Sequence, residues 1–295
     1  MIQKIRTWTL PIAMLLGACF YTFFSKLSFL LPYMIFSMLL ITYCKTSLKE
    51  IVFTGYHFWL LLIQIAGAVL VYRLVNPYNP LLAEGLLICV ITPTAAAAAA
   101  VVGMLGGNVG SLISFSILSN LSLALVGPFI FSHTGIQGDL PFLPAFFAIG
   151  MKIAPLLAFP FFLALFMRYA TPGLHRFLVS RQYLSFYLWA FSLTILFGKT
   201  MAYIVEQDNY KNEFLLAGLS MGVCFLQFAT GKWIGGKYGN RIAGGQALGQ
   251  KNTVLAIWLA QLYLLPLVSV APAAYVLWQN IINSWQLWRK ERIRC

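Results

Sequence analysis

The sequence predicts an all-α integral membrane protein of ten transmembrane helices. Three observations predict it. First, 60% of the 295 residues are hydrophobic and only 9% are charged, whereas a soluble domain carries about 25% charged residues. Second, the chain contains long apolar runs, such as 28–43 and 141–167, that do not follow the in–out alternation of a transmembrane barrel. With the barrel excluded, only helices can satisfy every backbone polar group in hydrocarbon. Third, the basic residues collect at one set of chain turns, as topology requires.

The apolar runs give ten segments: 8–24, 28–44, 57–74, 80–105, 109–132, 141–167, 183–205, 213–235, 242–263 and 265–287. A spanning helix needs about 20 residues, so roughly ten fit in the chain. The connections are short and carry turn residues, as at Asn76-Pro77-Tyr78-Asn79-Pro80, Thr171-Pro172-Gly173 and Tyr238-Gly239-Asn240. The whole chain reads as one membrane domain of two halves, about 1–135 and 140–290. An even number of spans puts both termini on one side. That side holds Lys4, Arg6, Lys45, Lys49, Arg168, Arg176, Arg181, Lys232, Lys237, Arg241, Arg289, Lys290, Arg292 and Arg294. The other side holds Lys26, Arg73 and Lys211, together with Glu206, Asp208 and Glu213. Basic loops stay cytoplasmic, so both termini are expected inside a cell membrane, here read as a cell inner membrane.

A net charge of +13 would point to nucleic acid in a soluble protein. Here topology accounts for it, and no nucleic-acid partner is expected. Cys19, Cys44, Cys89, Cys224 and Cys295 show no paired spacing, so they read as small apolar residues and not as a metal site or disulfide frame. Lys4 and Arg6 before an apolar stretch, with Leu16-Gly17-Ala18-Cys19, also resemble a lipoprotein signal. Cleavage there would leave nine spans and an external amino terminus.

Two spans are interrupted. The fourth contains Thr92-Pro93-Thr94, six alanines at 95–100, then Gly103, Gly106, Gly107 and Asn108. The ninth contains Gly244-Gly245-Gln246-Ala247-Leu248-Gly249-Gln250-Lys251-Asn252. Interruptions at corresponding places in two halves are the sequence mark of a transporter's solute site, because unwound backbone and half-helix ends offer bare N–H and C=O groups. The bland alternative is that these glycines and alanines only let helices pack closely. The stretch 244–251 also brushes the P-loop pattern, but Gln250 stands where the lysine is required.

The segments Ile91-Thr92-Pro93 through Gly107-Asn108-Val109 and Gly249-Gln250-Lys251-Asn252-Thr253-Val254-Leu255-Ala256 resemble the bile acid:sodium symporter family. The stretch Val276-Leu277-Trp278-Gln279-Asn280-Ile281 is similar to that family's last helix. The resemblance implies two inverted five-helix repeats, discontinuous helices 4 and 9 crossing at the centre, and an organic anion as substrate. It also implies sodium ligands at positions that here hold Ala98, Ala99, Ala247 and Lys251. Asn252 and Gln64 match the family, while Ser116, Ser119 and Asn120 keep hydroxyl or amide character near further ligands. Alanine has no oxygen to donate, so the usual two-sodium coupling is expected to be lost.

Lys251 is then a tethered cation, a proton-coupling group or an anion anchor, since a charge near the bilayer centre is costly and usually functional. Otherwise it simply pairs with a carbonyl or lines a wet cavity. The candidate solute-binding residues are Thr92, Pro93, Thr94, Asn108, Ser116, Asn120, Gln246, Gln250 and Asn252, and the candidate coupling residues are Lys251 and Gln64. The expected partners are the lipid bilayer and a small solute, with no cofactor and no metal site, and with proton coupling open. Glu84, early in the fourth span, is a candidate partner for Lys199, a pairing that only the fold can decide. An enzyme is disfavoured, because His57, His133 and His175 fall near loops and Asp139 and Asp208 outside, giving no nucleophile–base set. An auxin efflux carrier-like permease, or a membrane sensor that binds without transport, are the alternatives.

Overall fold

The computed structural model describes residues 2–46, 51–134, 141–181, 183–207 and 210–294, apart from the side chains of residues 2–10, 291, 293 and 294. Lys49, Asp139, Asp208 and Cys295 lie outside the described residues. Every regular element among them is helical. The chain opens with α1 (Ile2–Cys19), α2 (Tyr21–Phe24), a 3₁₀ turn and α3 (Leu31–Lys45). Next come α4 (Gly55–Val75), α5 (Pro80–Ile91), α6 (Ala98–Leu105) and α7 (Val109–Thr134). The second half holds α8 (Phe142–Ala170), α9 (Pro172–Ser180), α10 (Leu184–Val205) and α11 (Lys211–Lys237). It closes with α12 (Arg241–Gly249), α13 (Thr253–Tyr263) and α14 (Val270–Arg294).

Six stretches are long and apolar enough to cross a membrane: Tyr21–Lys45, Gly55–Val75, Val109–Thr134, Phe142–Ala170, Leu184–Val205 and Lys211–Lys237. Their outer faces are greasy. Phe147, Met151, Phe159, Phe162 and Phe166 all stand exposed along α8. A water-soluble surface does not carry apolar stripes of this length, and lipid does not penalise them. The surface is that of a membrane-embedded protein.

The fourth and ninth segments are each two helices and not one. The breaks are narrower than the glycine and alanine content predicts. Ala98 onward is helical, as the best helix former should be, and α6 ends only at Gly106, whose φ of 77° is left-handed. Gly244, Gly245 and Gly249 lie inside α12. These glycines serve packing instead: a Cβ on Gly244 would sit 2.4 Å from the Gly231 carbonyl oxygen of α11, and one on Gly235 would sit 2.5 Å from that of Asn240. The bland reading of those glycines therefore holds for α12, while the break itself is confined to residues 250–252.

A second difference lies between α8 and α10. The turn expected at Thr171-Pro172-Gly173 opens a short helix, α9, with Pro172 at its first position, where a missing N–H costs nothing. Leu174 and Phe177 are exposed beside Arg176 and Arg181. Such an amphipathic turn suits a membrane surface.

Two packed clusters hold the helices together. The larger joins residues of α3, α5, α8, α10, α13 and α14. The smaller gathers Tyr56, Leu60, Ala98, Phe115, Ile234 and Leu248, so that α6 and α12 pack against α4, α7 and the end of α11. Each broken span thus has one half in each cluster.

Candidate functional site

Thr92 precedes a proline and is pushed out of the helical region, with ψ at 137°. Pro93 has no N–H, so α5 stops there. On the other side, α12 stops at Gly249, and Asn252 starts α13 by accepting the Leu255 amide on its side chain at 3.3 Å. The two loose segments then pair with each other. The Ala95 N–H donates to the Gln250 carbonyl at 2.9 Å, and the Asn252 N–H donates to the Pro93 carbonyl at 2.8 Å. The result is a one-rung antiparallel bridge between Thr94 and Lys251.

Breaking a helix frees its last carbonyls, and buried carbonyls must find donors. At the end of α5 each one does. Cys89 accepts from the Gln227 side chain of α11 at 3.2 Å, Val90 from the Lys251 ammonium at 2.9 Å, and Ile91 from the Gln64 side chain of α4 at 2.7 Å. Gln64 in turn accepts from the Ser119 hydroxyl at 2.8 Å. At the end of α12, the Thr94 hydroxyl donates to the Ala247 carbonyl at 2.6 Å and the Tyr275 hydroxyl donates to that of Gly249 at 2.9 Å. The Lys251 amide donates to the Gln279 side chain at 2.8 Å.

Lys251 is 1% exposed. Its ammonium caps the carbonyl end of α5, where the helix dipole is negative. An ammonium carries three donors, and Val90 is its hydrogen-bond acceptor. It forms no ion pair with a carboxylate among the described residues. Among the described residues Glu84 forms no ion pair with Lys199; its carboxylate accepts the Leu265 amide at 3.0 Å, holding the turn that leads into α14.

Of the sequence-predicted residues, Thr92, Pro93, Thr94, Gln250, Lys251, Asn252 and Gln64 come together at the crossing. Thr92 turns its hydroxyl back to the Ile88 carbonyl, and the side-chain oxygen of Gln250 is buried without a partner. Gln246 lies one turn away and donates to Asn283 at 2.8 Å. Asn108 stands apart: it is exposed and accepts the Ser111 amide at the start of α7. Asn120 donates to the Ser116 carbonyl, and its own oxygen is buried without a partner. Ser116 lines a cavity of about 20 Å³ with Ala95, Ala96 and Ala99 on one wall and Thr42, Tyr43 and Thr46 of the α3 end on another. That is room for roughly one water. The Tyr43 hydroxyl, although buried, has no hydrogen-bond partner.

Sequence reasoning missed four participants: Gln227, Tyr275, Gln279 and Asn283. The last three are spaced by four residues on α14, one polar stripe facing the second break. Gln227 is a lone amide inside an apolar run. Both were visible signals. His57, which the sequence places near a loop, is the third residue of α4. It is buried, and its Nε2 lies 3.0 Å from the Ser111 hydroxyl, which also contacts Tyr56. Its Nδ1 accepts the Thr54 amide at 3.1 Å, so Nε2 carries the proton and donates to Ser111. That is the wrong sense for a base that activates serine.

No family model matches the chain, and no curated protein matches it either.

Proposed function

We propose that the protein is a secondary transporter of a small organic anion, built as ten spans in two inverted five-helix repeats with both termini cytoplasmic. The observation that carries this reading is the mutual pairing of two helix breaks, Thr94 against Lys251, in the midst of apolar helices. Irregular backbone at membrane depth is tolerated only where it is buried in protein or lines a cavity. Transporters use it to present half-helix ends to a solute.

The polarity of those ends supports an anion. Both α6 and α13 begin at the crossing, so their electropositive ends lie there. The small cavity beside Ala95 and Ala96 adjoins the start of α6, with Tyr43 and Ser116 as further polar groups on its wall. At about 20 Å³ it is too small for an organic solute, so the α3 side must part from α6 and α7 to admit one.

Sodium does not fit this site. Ala98 and Ala247 are fully buried methyl groups with no oxygen to offer, and the Val90 carbonyl is already taken by the Lys251 ammonium. Lys251 acts as a tethered cation, supplying from the chain the positive charge that a bound ion would bring to the end of α5. The proton is then the coupling ion to test. A metabolite screen by thermal stabilisation finds a solute, and proteoliposomes measure its flux. Flux is expected to persist when choline replaces sodium, and to vanish in Lys251→Ala. Normal flux in that variant sinks the proposal, and binding without flux makes the protein a sensor.

A further inference from the structure

A cavity of about 620 Å³ lies away from the paired breaks, in a groove between α11, α12 and α14. Its lining changes character along α11. Phe225, Phe228 and Ala229 form the apolar end, and Lys232 and Lys237, joined by Arg241 of α12, form the other. Ile282 and Trp285 of α14 close the far wall. Among the described residues no aspartate or glutamate lines it. From Phe225 to Lys237 the helix rises about 18 Å, close to the ~15 Å of one leaflet's hydrocarbon.

The groove opens sideways onto lipid, because Phe225, Leu226, Trp233 and Ile281 around it are all exposed apolar side chains. The cations are held in place: the Lys237 ammonium sits 3.9 Å from the Trp233 ring centre, and the Lys232 stem lies against Gly245, whose added Cβ would come within 2.5 Å of it. An apolar channel of one leaflet's depth that ends in three cations matches one molecular shape. We propose that this groove is a binding site for an acidic phospholipid, with its phosphate at Lys232, Lys237 and Arg241 and an acyl chain along Phe225 and Phe228. A soluble anion would have no use for the apolar length, and basic pockets between transmembrane helices hold anionic headgroups for the same reason. The groove reaches the second broken span through α12, since Phe228 packs on Gly249 and Lys232 on Gly245.

The test is native mass spectrometry of the full chain in mild detergent, titrated with phosphatidylglycerol or phosphatidylcholine. One tightly held phosphatidylglycerol is expected, and phosphatidylcholine should bind at least tenfold more weakly. A headgroup-contacting cation contributes about fivefold in affinity, so Lys237→Gln with Arg241→Gln should weaken the acidic lipid by roughly 25-fold. Both residues are exposed, so the variant keeps its fold, which an unchanged melting curve verifies. Lys45→Gln, an exposed cation on α3, should change nothing. Equal affinity for the two lipids, undiminished phosphatidylglycerol binding in the double variant, or displacement by millimolar inorganic phosphate would each overturn the proposal.

Discussion

Replacing Lys251 by methionine separates a functional cation from a structural cap. Methionine keeps most of the stem volume and removes the donor. The Val90 carbonyl then loses the partner it has at 2.9 Å, a cost of about 1–3 kcal/mol. The opposing term is the relief of a buried ion. The wild-type ammonium is 1% exposed, and its hydrogen-bond acceptor is a neutral carbonyl, while the desolvation of such a group is worth several kcal/mol. The second term is at least as large as the first, so Lys251→Met should melt at or above the wild-type temperature. Alanine loses the same hydrogen bond and also opens a void, at about 2–5 kcal/mol for a Met-sized side chain. At about 2 °C per kcal/mol for a chain of this length, Lys251→Ala should melt roughly 4–10 °C below Lys251→Met. Intrinsic tryptophan fluorescence on heating, in detergent, reads both. Solute flux should be lost in the two variants alike. A methionine variant that melts far below wild type, or one that transports normally, refutes the tethered-cation account.

Other outcomes follow from the same geometry. Gly244→Ala forces a methyl to within 2.4 Å of the Gly231 carbonyl oxygen; with backbone on both sides unable to yield, it should lose about 1–3 kcal/mol, seen as a lower melting temperature. Gln64→Leu strands the Ile91 carbonyl and the Ser119 hydroxyl together and should cost roughly 2–4 kcal/mol; adding Ser119→Ala should recover part of the loss, which a double-mutant cycle would measure. Tyr43→Phe removes a buried hydroxyl that has no partner, so stability should hold or rise. If that hydroxyl meets the solute, affinity in a thermal-shift titration should fall by about 3–10-fold.

Much of this protein was legible before any coordinates. Helical architecture and the lipid-facing surface follow from composition and from apolar runs that no other backbone could carry through hydrocarbon. The position of the first break follows from Thr92-Pro93 alone, because a proline lacks a donor and restrains its predecessor wherever the chain goes. Asparagine is a favoured N-cap residue, yet from the sequence Asn252 had only a solute-binding role, and its cap on α13 came from the structure. These are local properties, fixed by a residue and its immediate neighbours.

Tertiary structure decided who satisfies the carbonyls those breaks release. Any nearby donor would do, and the choice of Gln227, Lys251 and Gln64 depends on α4, α11 and the second break arriving at one point. The same holds for the glycines of α12, which look like helix breakers until α11 is seen packed at backbone distance. It holds equally for Asn108, a polar residue in a suggestive stretch that serves only its own helix end. Hydrogen-bond demand is written along the chain; its supply is written across it, in the packing of residues 27 to 161 positions apart.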